Sequence, residues 1–211
     1  MLVSGLLGFV MGWVVSILVD MVPAYANEPP NDLPEQPWRA PGIWRSIKEK
    51  RIYGDAWIEL AGTVGGLVFG LTWFLPIYGF LLLLTVIDLR YRLIPNVLVY
   101  PAVLLVLGVA AFTYPDQLTQ TLMGGGMAFG VFFLTALMQP GKLGGGDVKL
   151  AGLIGLAFGF PGMLWALLMG SAAGAVVAVV LFFSPRPIRW IPYAPFLCLG
   201  ALLALIYNPF V

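Results

Sequence analysis

Apolar residues run in eight stretches, near 2–22, 57–75, 77–89, 97–113, 119–139, 148–160, 161–183 and 193–208, and polar residues gather between them. Several stretches are long enough to cross a hydrocarbon core of roughly 30 Å as helices. The pattern predicts an all-α, polytopic integral membrane helical bundle with about eight transmembrane helices. The short stretches 77–89 and 148–160 also fit half-buried or re-entrant segments. Pro76 and Pro161 are each able to end or kink a helix. Small residues recur four apart, as Gly66 with Gly70, Gly126 with Gly130, Gly155 with Gly159 and Gly170 with Gly174. That spacing lets helix backbones approach closely in lipid, so these glycines read as packing.

Composition agrees with the pattern. Of 211 residues, 60% are hydrophobic and 10% charged, and the mean hydropathy is +0.94, beyond what a soluble core explains. Charge then orients the chain. With the N-terminus outside and eight helices following, the cytoplasmic segments are about 23–56, 88–96, 140–149 and 184–192. They hold all eleven Lys and Arg residues, so both termini are expected outside. Residues 1–26 could be read as a secretory signal ending in "AYA", but they lack a basic start and carry Asp20 in the apolar run. The expectation is an uncleaved multi-pass membrane protein.

The longest polar segment, 23–55, is Pro-rich and acidic at first, and ends with basic residues beside Trp44 and Tyr53. It reads as a cytoplasmic loop whose basic end meets anionic lipid, with substrate docking as the alternative. The single cysteine, Cys198, rules out an internal disulfide and a multi-cysteine metal site. The absence of histidine rules out histidine-based triads and zinc chemistry.

Five carboxylates lie within or beside the apolar stretches: Asp20, Asp55, Glu59, Asp88 and Asp147. A charge there is costly unless paired or wet, which makes each a functional candidate. Asp20 and Asp55 are most simply solvated at the interface, and Glu59 most simply bonds a neighbouring helix. Asp88, in "TVIDLRYRLIPN" (85–96), and Asp147, in "GGGDVKL" (144–150), fall on the same cytoplasmic side at similar depth. Two such carboxylates in one site share a proton: one serves as general base on water and the other protonates a substrate carbonyl. Asp147, near a helix N-terminus, is favoured as the anion, and Asp88, near a C-terminus, as the acid. The glycines before Asp147 leave room for an extended peptide backbone. Lys149 has three candidate partners in the dyad, lipid phosphate and substrate, with lipid or structural pairing preferred.

These residues resemble the type IV prepilin peptidases, membrane aspartic proteases of the GxGD type. "GGGDVKL" is similar to the family's G-x-G-D-x-K, and "DLRYRLIPN" (88–96) to its first aspartate followed by Ile-Pro-Asn. "IPYAPFLCLGALLAL" (191–205) resembles the Pro-rich approach to its last helix. The resemblance implies a catalytic pair, Asp88 and Asp147, supported by Gly144, Gly146, Lys149, Pro95 and Glu59. It also implies a peptidase core over 76–211, preceded by N-terminal helices and the 23–55 loop over 1–75. The implied substrates are type IV pilin or pseudopilin precursors, cleaved at the cytoplasmic face. The remaining partner is membrane lipid, and no nucleic acid is expected.

Proteolysis calls for no cofactor. S-adenosylmethionine would serve if this chain keeps the methylation of mature pilin that many members perform. The N-terminal third departs from the family. "GWVVSILVDMVP" (12–23) keeps only Gly12 and Pro23 of the marked positions in the family's first motif, and the two CxxC pairs of the zinc-binding loop are absent. A transporter or channel using the aspartates for ions or protons is the competing class, and a catalytically silent scaffold a third.

Overall fold

The computed structural model describes residues 2–25, 56–69, 74–138, 143–183 and 192–207. Eight α-helices lie among the described residues, with no strand: α1 Leu2–Tyr25, α2 Ala56–Phe69, α3 Phe74–Tyr91, α4 Asn96–Thr113, α5 Leu118–Met138, α6 Gly145–Phe158, α7 Gly162–Phe182 and α8 Ala194–Tyr207. The all-α expectation holds, and each of the eight apolar stretches contains one helix. Among the described residues, three segments are long and apolar enough to cross a membrane: Asn96–Thr113, Pro115–Met138 and Gly162–Leu181. Their outward faces carry apolar side chains such as Leu105, Phe112, Leu168 and Val176, a surface that suits lipid. The 23–55 loop, Asp55, Lys142, Arg186 and Arg189 fall wholly or largely outside the described residues.

The breaks between helices differ in detail from the expected ones. Helix α2 is described to Phe69, residues 70–73 lie outside the described residues, and Pro76 sits in the first turn of α3. A first-turn proline is tolerated because the N–H it lacks has no acceptor within the helix. The short stretch 148–160 is helical from Gly145 to Phe158, and Gly159, at φ 61°, closes it. Glycine reaches that left-handed region without steric cost. Pro161 then precedes α7 as its N-cap.

Two compact units divide the chain, Met1–Tyr91 and Arg92–Val211. In the first, α1 and α2 meet through glycines. A Cβ at Gly12 would come 2.7 Å from the Ile58 carbonyl oxygen, and one at Gly8 would strike the backbone at Gly62 and Gly66. The real contact therefore pairs Gly8 and Gly12 with Gly62 and Gly66 across two helices, the close approach small residues permit. Gly12, kept from the family's first motif, has a packing reason. The Tyr78 hydroxyl of α3 donates to the Ala61 carbonyl at 2.9 Å, and Gly65 leaves space for its ring.

In the second unit, α6 is the enclosed helix. It touches α4, α5, α7 and α8, and every residue from Leu150 to Gly155 is buried. A helix buried all round needs apolar or small side chains on every face, as this one has. At 14 residues it is only about 21 Å long. Gly155 packs on Gly124 and Ala128 of α5, while Gly200 of α8 packs on Ala166 and Gly170 of α7. Gly126 and Gly130 have nothing within 4 Å of a Cβ, so these two do not pack a helix within the unit as their spacing suggested. Spacing alone reports that close contact is allowed, not that a neighbour is there. The Tyr193 hydroxyl donates to Ser171 Oγ at 3.0 Å, fixing the start of α8 on α7.

Candidate active site

The start of α6 carries Asp147. Gly144 is the N-cap, in extended backbone at φ −73° and ψ 145°. The Asp147 carboxylate folds back to accept the Gly144 N–H at 3.2 Å, one half of a capping box. The reciprocal half is missing because glycine has no side chain. A carboxylate at the third helical position satisfies an otherwise orphaned donor and lies at the favourable end of the helix dipole.

Each glycine of the run has a different surrounding. A Cβ at Gly144 would come 3.2 Å from Asp147 Oδ2, so its absence gives the carboxylate room to fold back. A Cβ at Gly146 would come 2.9 Å from Ile94 Cβ, closer than real Cβ atoms approach. Gly145 has nothing within 4 Å. The two glycines that the G-x-G-D pattern specifies are thus the crowded ones, and the one at its variable position faces open space.

Lys149 reaches the other motif. Its Nζ donates to Asn96 Oδ1 at 2.7 Å and lies 5.7 Å from the centre of the Tyr100 ring, within cation–π range. Of the partners considered from sequence, structural pairing is the one found. Residues two apart on a helix do not face each other, which is why Lys149 does not turn to Asp147. Asn96 ends the Ile-Pro-Asn segment, and Tyr100, which the sequence did not single out, stands one turn on at the head of α4, so the two share a face. Pro95, fully buried, is the N-cap of α4 at φ −67°. Its carbonyl accepts the N–H groups of Leu98 and Val99 at 3.1 and 3.2 Å.

The remaining candidates lie in the first unit. Asp88 is 5% exposed, in the last turn of α3, where Leu84, Val86 and Ile87 are also buried. Arg90 lies in the same turn, at the end of the helix that suits a cation. Arg92, just after α3, has φ 52°. A side chain in that region costs on the order of 1 kcal/mol, and the turn it makes ends the helix. Glu59, in the first turn of α2, is half-buried, and its backbone carbonyl accepts the Thr63 hydroxyl at 2.8 Å. Among the described residues, no cluster of three or more His, Cys, Asp or Glu side chains could hold a metal.

Residues 75–179 match the sequence model of the type IV leader peptidase family, a span that includes both aspartates, the Ile-Pro-Asn segment and the whole glycine run. This stretch belongs to the type IV leader peptidase family. Three curated relatives named prepilin leader peptidase/N-methyltransferase align with the chain. The Bacillus subtilis protein is 30% identical over 134 residues, 61% of this chain and 52% of the relative. The Stutzerimonas stutzeri protein is 30% identical over 167 residues, covering 72% and 57%. The Pseudomonas aeruginosa protein is 31% identical over 157 residues, covering 66% and 52%. The chain thus matches just over half the length of these leader peptidase relatives. No solved structure matches it.

Proposed function

We propose that this chain is a membrane aspartic endopeptidase that removes the leader peptide of type IV pilin-like precursors at the cytoplasmic face of the inner membrane, using Asp88 and Asp147. The observation that carries the reading is the junction of the family's two motifs within the second unit, where Gly146 meets Ile94 and Lys149 bonds Asn96. Asp147 stands between the two contact points. Asp88 precedes Ile94 by only six residues of chain. The peptidase core is assigned to 76–211, with 1–75 as the N-terminal helices and loop, and the helices are taken as eight spans with both termini outside.

The reaction needs only the two carboxyls and water. Asp147, ionised, removes a proton from water as its oxygen attacks the scissile carbonyl carbon, while Asp88, protonated, donates to the carbonyl oxygen. The resulting gem-diol collapses when Asp88, now ionised, recovers a hydroxyl proton and Asp147 delivers its own to the leaving nitrogen. The C–N bond then breaks and both carboxyls return to their starting states. The hydrogen bond from Gly144 and the helix N-terminus support Asp147 as the base. Burial at the end of α3 supports Asp88 as the acid. The open space beside Gly145 suits an extended substrate backbone.

The names of the relatives also include N-methylation, which S-adenosylmethionine would supply. No side chain among the described residues is assigned to that cofactor, and no step above runs through it. A cysteine-bound zinc does not fit, because Cys198 is the only cysteine and is buried within α8.

Co-expression with a pilin precursor from the same genome, in a host lacking its own prepilin peptidase, tests the reading. A mature pilin shortened by its leader is expected, equally abundant in the presence of a zinc chelator. A full-length precursor, or cleavage that the chelator stops, would contradict the peptidase reading or its metal independence respectively. The mass of the mature N-terminus reports on methylation in the same sample.

A further inference from the structure

Two contacts bracket Asp147 on α6, and both end on one short segment of the chain. Gly146, one residue before it, lies against Ile94 closely enough that a Cβ would be 2.9 Å from Ile94 Cβ. Lys149, two residues after it, donates to Asn96 at 2.7 Å and covers the Tyr100 ring at 5.7 Å. Pro95, between Ile94 and Asn96, is fully buried and fixes its own φ, so the receiving segment is stiff. Lys149 is half-buried, and a lysine held between an amide oxygen and an aromatic face gives up much rotamer freedom. Such a contact is out of proportion for helix packing alone, which Gly146 already provides.

We propose that Asn96 and Tyr100 are positioning residues: they hold Lys149, and through it set the rotation of the first turn of α6, so that Asp147 presents its carboxylate to the catalytic water at a fixed angle. The inference rests on the reading of Asp147 as the general base. Gly146 sets how close α6 comes to the segment that leads into α4. The Lys149 contact sets their rotation, which packing of small residues leaves free. A displacement of a catalytic carboxylate by about 1 Å costs on the order of 100-fold in rate, so a positioning contact has a kinetic signature distinct from a stabilising one.

The test uses the purified full-length chain in lipid vesicles with a pilin precursor from the same genome, comparing wild type with Asn96→Leu, Lys149→Met, the double variant and Lys149→Arg. Asn96→Leu and Lys149→Met are each expected to lower kcat by roughly 10- to 100-fold, with KM and the thermal unfolding midpoint little changed. The double variant is expected to be no slower than the slower single one, since the two side chains act through one bond. Lys149→Arg, which can still meet the amide and the ring, should recover most of the rate. Where Asn96→Leu fails to accumulate, Asn96→Asp keeps the acceptor oxygen and carries the same comparison. Its loss of kcat to the level of Lys149→Met would overturn the proposal. So would an unchanged kcat in Asn96→Leu, losses that multiply in the double variant, or losses that follow the unfolding midpoint. An inactive wild type would remove the peptidase reading and this inference together, whereas an active wild type with indifferent variants removes this inference alone.

Discussion

Asparagine at either aspartate is expected to lower leader cleavage by roughly 1,000-fold or more in kcat, within the range that positioned acid and base groups contribute together. Asparagine keeps the shape of the carboxyl and cannot exchange its proton. In Asp147→Asn the side-chain oxygen can still accept the Gly144 N–H, so the first turn of α6 should persist. In Asp88→Asn a buried site loses an ionisable group without losing volume. Both proteins should therefore insert and bind precursor with nearly unchanged KM. On the proposed dyad the two groups act as one unit, so the double variant should be little worse than either single one. Single-turnover cleavage of a pilin precursor measures all three, and a rate within threefold of wild type in either single variant would remove that residue from the chemistry.

The second large effect separates two adjacent glycines. Gly146→Ala is expected to lower the stability of the full chain by about 1–3 kcal/mol, the usual cost of forcing a methyl into a packed site. Its Cβ would lie 2.9 Å from Ile94 Cβ, an atom on a buried residue that cannot swing aside. Gly145→Ala adds the same methyl one position earlier, where nothing lies within 4 Å, and should leave stability unchanged or slightly raised, as alanine replaces glycine in a helical turn. Thermal unfolding in detergent compares the two. Equal midpoints would mean that the approach of α6 to Ile94 is not as close as described. The activity of Gly145→Ala adds a separate reading, since a peptide strand lying in that open space would feel the methyl even where the fold does not.

Helix content was legible because lipid and protein interior ask the same thing of a sequence: long apolar runs broken by polar or Pro-containing segments. The run 77–89 lies within α3, whose first turn holds Pro76, where proline fits. What sequence could not supply was the partner of each small residue. Gly126 and Gly130 have the same spacing as Gly8 and Gly12, yet among the described residues only the latter pair meets another helix. Spacing is a property of one helix, and contact is a property of two.

The candidate site divides along the same line. Asp88 and Asp147 stand out as carboxylates beside apolar runs, in a chain with only ten acidic residues, and Gly144 and Gly146 stand out through the motif that holds them. The reasons for the glycines do not, since Gly144 answers to its own aspartate and Gly146 to Ile94, a residue 52 positions earlier in sequence. Lys149 was ambiguous because a lysine near a membrane surface has many acceptable partners. Its choice of Asn96 and Tyr100 depends on how α4 and α6 pack. A motif written as G-x-G-D-x-K thus records two separate requirements, room at its glycines and a bond at its lysine.

The central claim is that Asp88 and Asp147 form one site, and a distance measurement addresses it without relying on activity. Cys198 is the only native cysteine, so an Asp88→Cys/Asp147→Cys protein in a Cys198→Ala background carries just two thiols. Two carboxyls close enough to share a proton have backbones near the range that a disulfide or a short bifunctional thiol reagent can bridge. Mass spectrometry after digestion should find the peptides containing positions 88 and 147 joined within one chain, in membranes and at low protein density. Both thiols alkylated separately, with no joined pair, would contradict the account.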